Sequence, residues 1–280
     1  MKKILFPTDF SQNAFHAFEY ALQLAKKTGA EILTIHVYPM DVAVFADYSA
    51  ILSVNYFVNE WDDFENYKSE VPKLKALAKQ HQAEHIKITH LLERGNVVEK
   101  ILEAEISEQI DCIVMGTSGA TGLKAVFLGS VAESVMNRAS GLVLVIPSGC
   151  RFPKAQKILL LAKYEKPYLK IVQQLLPLAK ILQAHLDVLH IKDQADRAEM
   201  RTMKDWAKQF ADEQVHFHIF ANQDLEETVV NFADKHHNTM VALAVHEKGF
   251  FEKLFFYSLS KELAFHSQIP VLAIHTKKRT

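Results

Sequence analysis

Four of the chain's nine glycines fall in one stretch, "MGTSGATGLKAVFLGSV" at 115–131, at Gly116, Gly119, Gly122 and Gly129. Glycine lets a backbone approach a ligand closely and turn its N–H groups inward on an anion. A helix beginning just after Gly129 would add unpaired N–H groups and the positive end of its dipole. The chemistry on offer is therefore phosphate binding by main chain and hydroxyl. The pattern Gly116-x2-Gly119-x9-Gly129-Ser130 is neither a Walker loop nor a dinucleotide fingerprint, since both of those spacings are absent. Ser130-Val131-Ala132-Glu133 also fits a capping box, so Ser130 as helix cap is the plain structural alternative. Asp9, after the first apolar run, reads on its own as a turn carboxylate beside the helix cap Ser11.

These residues need strands that end beside one another. Short apolar runs at 3–7, 31–38, 86–92, 112–116 and 142–146 alternate with helical patterns at 13–27, 63–82, 97–108 and 131–139. That alternation predicts β/α units around a parallel sheet. In such sheets ligands bind beyond the carboxyl ends of the strands, where Asp9 and the glycine-rich loop both fall.

The order then repeats, with strands expected near 157–162, 186–191, 215–220, 240–245 and 271–274. Laying residue n on n + 128 pairs "CIVMG" with "MVALA", "GSVAESVM" with "YSLSKELA" and "LVLVIP" with "PVLAIH". The chain is an internal duplication. Two domains are expected, 1–148 and 154–280, joined by the turn-rich "PSGCRFP". Residues 40–62 lack a counterpart of equal length and are too aromatic for a solvated loop. They predict a partly helical insertion that covers the sheet or meets a partner.

"ILFPTDFS" at 4–11, "HVYP" at 36–39, the spaced glycines and "GSVAESVMNRASGLVLVIP" together resemble the universal stress protein family. The likeness covers 1–148, with a weaker echo over 154–276, so the whole resembles a tandem-domain member. It implies an α/β fold of two repeated five-stranded parallel-sheet domains of the Rossmann-like, adenine nucleotide alpha hydrolase-like type. It also implies an ATP site (or ADP or AMP, with Mg) in the first domain. Pro7, Thr8 and Asp9 would border the adenosine, Val37 would meet adenine through its backbone, and Met115 would line the pocket. Gly116 would lie near the ribose, while Gly119, Gly129, Ser130 and Val131 would hold phosphates. The family pairs domains through last strands, so "LVLVI" and "PVLAI" are expected to meet; a homodimer is also compatible with the resemblance.

The second copy departs from the pattern. Gly116, Gly119 and Gly129 become Ala244, Glu247 and Tyr257, Ser130 is matched by Ser258, and Lys163 stands where Asp9 does. A tyrosine fills space, a glutamate repels phosphate and side chains restrict approach, so this copy is expected not to bind ATP. Its Phe-rich stretch 249–258 would fill the vacated pocket or meet a partner.

Composition sets the class. A 280-residue chain with 49% hydrophobic residues is globular, and its formal charge of −1 argues against a nucleic-acid partner. Basic against acidic residues number 13 to 18 in 1–150 and 19 to 15 in 151–280. No signal segment or membrane span is expected, and two cysteines fit a reduced, cytoplasmic protein. Nine of fourteen histidines lie in the second half, where His216 and His218 should share a strand face; without convergence of ligands no metal site is expected. A stress-response regulator that binds nucleotide is the expected function. A slow ATPase or phosphotransferase would need a base or cation beside the phosphates, for which only Lys124 offers itself; an interaction scaffold is the third reading.

Overall fold

The computed structural model describes residues 1–38, 49–117, 129–192, 197–221, 225–245 and 269–275. The expected features at Gly119, Lys124, Glu247, Tyr257, Ser258 and in the Phe-rich stretch lie outside the described residues. In the first half β1 (Lys3–Pro7), α1 (Gln12–Thr28), β2 (Glu31–Tyr38), α2 (Ser49–Gln80) and β3 (Ile88–Arg94) are followed by α3 (Val97–Ser107), β4 (Cys112–Gly116), α4 (Ser130–Arg138) and β5 (Leu142–Ile146). The second half runs β6 (Lys157–Leu161), α5 (Lys166–Leu182), β7 (His185–Lys192), α6 (Arg197–Gln209), β8 (Val215–Ala221), α7 (Leu225–His236), β9 (Met240–Val245) and β10 (Val271–His275).

All ten strands form one sheet in the order β3-β2-β1-β4-β5-β10-β9-β6-β7-β8. Each half thus has the same internal order, reversing direction between its first and fourth strands. Pairing within each half is parallel, whereas β5 and β10 run antiparallel, with Val145 opposite Val271 and Leu142 opposite Ile274. Central strands such as "CIVMG" and "LVLVI" are apolar throughout because helices cover both faces. One core layer joins Phe6, Phe18 and Leu74 to Leu160 and Leu175; the other joins Leu5, Ile101 and Val135 to Val229 and Val241. Both layers run through both halves.

The duplication is visible in matched ends. Lys3 to Tyr38 map onto Lys157 to Lys192 with an offset of 154 residues, while β4 maps onto β9 with an offset of 128. The intervening difference falls where α2 has 32 residues and α6 only 13. The helix expected at 63–82 begins fourteen residues earlier, at Ser49, and so absorbs much of the expected insertion. Its "ILSVNYFVNEWD" carries no clean apolar stripe, which is why its period was not legible.

Helix ends repeat too. Ser11 caps α1, its hydroxyl accepting from the Ala14 N–H at 3.2 Å, and Gly29 ends it at φ 71°. At the matching end of α5 stands Gln183, held at φ 53°. A side chain in this left-handed region is strained and glycine is not, so Gln183→Gly is expected to stabilise the fold by roughly 0.5–1 kcal/mol. Thermal unfolding of the single variant checks it, with a higher Tm expected.

Candidate functional site

At the switch point between β1 and β4 the two strands part toward different neighbours, and a cavity of about 380 Å³ opens beyond their carboxyl ends. Pro7, Thr8 and Asp9 line it from β1 and the turn that follows, Met115 and Gly116 from β4, and Thr117 from just after it. Ile35 and Val37 enter from β2, Val97 and Ile101 from α3, Ala14 from α1, and Gly129 to Ala132 from the start of α4. Nine of the ten residues expected from sequence therefore face one cavity; the tenth, Gly119, is outside the described residues. Ala14, Ile35, Val97, Ile101, Thr117 and Ala132 were not anticipated. Val97 and Ile101 stand one turn apart, an apolar spacing that in sequence looks the same as core.

The turn after β1 is held by its own side chains. The Thr8 hydroxyl accepts the Phe10 N–H and the Asp9 carboxylate accepts the Ser11 N–H, each at 3.0 Å. Asp9 is therefore both a turn residue and a wall of the cavity. Across from it α4 begins in a way that corrects the capping-box reading. Gly129 is the N-cap, Ser130 is the first helical residue, and no side chain caps the helix. The first intrahelical bond runs from the Glu133 N–H to the Gly129 carbonyl at 2.9 Å, so the amides of Ser130, Val131 and Ala132 precede the helical ladder. The Gly129 N–H donates instead to the carbonyl of Thr117, the residue after β4, which fastens the start of α4 there and takes that amide away from any ligand.

The glycines act differently from one another. Gly129 has φ −63° and ψ 150°, values open to any residue, so its role is space and not backbone freedom. A Cβ on Gly116 would face α1, 3.4 Å from the Asn13 carbonyl oxygen and 3.8 Å from the Ala17 Cβ. These are ordinary contacts, so Ala244 at the matching position of the second half is not in itself an obstacle to a ligand.

Supports lie behind the site. The Arg138 guanidinium of α4 grips Glu99 of α3 with two bonds, 2.8 and 3.0 Å, which holds the two helices that wall the cavity. Glu105, buried on α3, accepts the backbone N–H groups of Ser140 and Gly141 and the Ser140 hydroxyl at 2.7–3.1 Å, fixing the loop between α4 and β5. The cysteines take no part. Burial pushes the Cys112 thiol up to about 12 and that of Cys150 up to about 11.

The matching residues 1–147 fit the family description of the universal stress proteins. The chain belongs to the universal stress protein family. Two universal stress proteins of Methanocaldococcus jannaschii are similar to its first half. One is 36% identical over 148 residues, 52% of this chain and 81% of that protein. The other is 30% identical over 152 residues, 52% of this chain and 94% of that protein. A solved universal stress protein from Archaeoglobus fulgidus matches both halves together, covering 98% of this chain and 96% of its own at a TM-score of 0.70 and 22% identity. Half-length relatives beside a full-length structural neighbour agree with two repeats of the universal stress protein fold.

A second cluster lies at the amino ends of the strands in the second half. Lys157, His185, Asp187, His216, His218 and His236 line a cavity of about 380 Å³. Buried Asp187, which sequence reasoning missed, accepts from His218 at 2.9 Å and from the Asn238 amide at 3.0 Å, with His216 at 3.9 Å. His236 stacks on Phe232 and meets the His218 ring at 5.4 Å. Among the described residues no group of three or more His, Cys, Asp or Glu could hold a metal ion. No described helix is long and apolar enough to cross a membrane.

Proposed function

We propose that the cavity at the first switch point holds an adenine nucleotide, ATP or its di- or monophosphate, and that the protein is a cytoplasmic stress-response regulator whose state follows nucleotide occupancy. The observation that carries this reading is the convergence of Asp9, Val37, Met115, Gly116, Gly129, Ser130 and Val131 on one cavity. Ile35, Val37, Val97, Ile101 and Met115 make an apolar slot for a flat base, with Asp9 placed for ribose hydroxyls. The amides of Ser130, Val131 and Ala132, with the dipole of α4, suit phosphate oxygens.

Asp9 is the one carboxylate among the described lining residues, so Mg²⁺ would arrive with the nucleotide and complete its shell from phosphates and water. No lysine or arginine is among those residues, and phosphoryl transfer depends on such charge neutralisation. Binding alone is the proposal; Lys124, the cation that turnover would draw on, lies outside the described residues. Residues 1–148 form the binding unit in this reading; 154–280 form a paired unit, joined through β5 and β10, that binds no nucleotide.

Mass spectrometry of the supernatant from freshly purified, denatured protein is expected to find ATP, ADP or AMP at about one per chain. Equilibrium dialysis of stripped protein is expected to restore it. No retention of ATP or ADP at millimolar concentration overturns the reading.

A further inference from the structure

On the face of β2 away from the cavity, the His36 ring reaches back to the turn that lines it. His36 Nδ1 lies 2.7 Å from the Thr8 carbonyl oxygen. A carbonyl can only accept, so Nδ1 carries the proton and the tautomer is set by this contact. The Thr8 N–H donates to the Ile35 carbonyl at 2.9 Å, so the residue is held to β2 by its main chain on both sides. Two positions on, Phe10 adopts φ 57°, a left-handed conformation that an aromatic residue keeps only where its surroundings impose it. Its ring packs 4.9 Å from His36 and 5.9 Å from Tyr67 of α2, and His36 and Tyr67 stack at 6.2 Å.

The second half supplies an internal comparison. At the offset of 154, Phe10 maps to Tyr164 and His36 to His190. Tyr164 and His190 again meet, at 5.6 Å, and Trp206 of α6 takes the place of Tyr67, 5.3 Å from Tyr164. In both halves the ring after the first strand is thus flanked by a histidine of the second strand and an aromatic residue of the following helix. The grip is not repeated: His190 Nε2 turns to Glu199 at 3.3 Å, and Tyr164 is absent from the residues with positive φ. Only the half with the spaced glycines uses its histidine to hold the turn.

We propose that His36 is a positioning residue which, packed with Phe10 and Tyr67, ties the cavity-lining turn at 8–11 to α2, so that ligand in the cavity and the packing of α2 bias each other. This rests on the nucleotide reading for its ligand but not for its geometry. Coupling of this kind is reciprocal: whatever orders the turn favours α2 in its packed place, and whatever pulls on α2 loosens the site.

The test compares His36→Leu, which removes the donor, with His36→Asn, whose amide nitrogen can stand near the place of Nδ1. Stripped protein is assayed without ligand and with ATP, and Tm is recorded to confirm folding. Hydrogen exchange at the Phe10 and Ser11 amides is expected to speed up in His36→Leu and to stay near that of the parent in His36→Asn. ATP affinity is expected to fall about tenfold in His36→Leu and to be largely retained in His36→Asn. Added ATP should slow exchange along α2 in the parent and fail to do so in His36→Leu. Parental turn exchange and ATP affinity in a folded His36→Leu overturn the proposal, as does equal loss in both variants. If the parent itself binds no ATP, the nucleotide reading fails, and the ligand-free exchange alone upholds or overturns the role of His36.

Discussion

Replacing Gly129 by tyrosine, the residue at the matching position of the second half, is expected to weaken ATP binding at least about 100-fold, or about 2.8 kcal/mol, while leaving the fold intact. The two halves of that expectation have separate causes. Gly129 sits at φ −63° and ψ 150°, where tyrosine is unstrained, and its N–H bond to Thr117 does not depend on the side chain. A phenol ring added where Gly129 lines the cavity, beside the first amides of α4, would occupy volume that phosphates need. Dialysis against ATP paired with thermal unfolding separates the effects. Lost binding at an unchanged Tm supports the site, and full binding in the folded variant would remove Gly129 from it. Gly116→Ala is the matched control and should bind nearly as the parent does, because its Cβ faces α1.

The second large effect concerns acid. Burial pushes the Asp187 carboxyl up, but hydrogen bonds from His218 and Asn238 and the positive charge of His218 and His236 more than offset this, leaving it below its ordinary value. A carboxyl depressed in the folded state stabilises above its unfolded pKa, about 4, and that contribution disappears as pH falls through the folded value. His236 is held below its ordinary range, chiefly by burial, against the pull of Asp187 and with His218, Lys235 and Lys157 adding repulsion. Burial lowers His90 and His275 as well. Such histidines take up protons more readily when unfolded, so stability is full above about pH 6.5 and declines below it. Tm should therefore be level from pH 8 to about 6.5 and fall from there to pH 5. Asp187→Asn is expected to cost about 2 kcal/mol at pH 7.5, since charge-assisted bonds to a buried group are lost. It should also steepen the fall between pH 6.5 and 5, because the attraction that helps His236 hold a proton is gone. A flat profile, or a variant as stable as the parent at both ends, would contradict the account.

How far sequence alone reached depended on the kind of signal. The mainly apolar runs of β1, β2, β4, β5 and β9 announced themselves at their true bounds, because strands covered on both faces leave a nearly continuous apolar record. The glycine spacing likewise pointed to residues that meet in one cavity, since a loop and the helix behind it are contiguous in the chain. Contributions from elsewhere were invisible. Ile35 and Ile101 look like any core position, and Asp187 gives no sign in "HLDVLHIK" that two histidines from β8 would close on it. Ser130 misled because "SVAE" satisfies a capping pattern one residue too late; which residue is extended and which helical depends on the path of the incoming loop. His36 stood in the sequence only as the first letter of "HVYP"; its contact with the Thr8 carbonyl could not be read there, because main-chain acceptors have no letter in a sequence.

The antiparallel ladder between β5 and β10 has a consequence for how the molecule responds to dilution. An antiparallel seam between like strands could equally be made by two separate chains, and its occupancy would then rise and fall with concentration. Here the ten residues 147–156 run from β5 to β6, so the encounter is unimolecular and proceeds at a fixed effective concentration, of millimolar order for short tethers. A half severed from its twin would carry a bare, apolar edge in "LVLVI", the kind of edge that recruits foreign strands. The ladder between β5 and β10 thus costs no encounter between molecules, and each strand covers the apolar edge of the other.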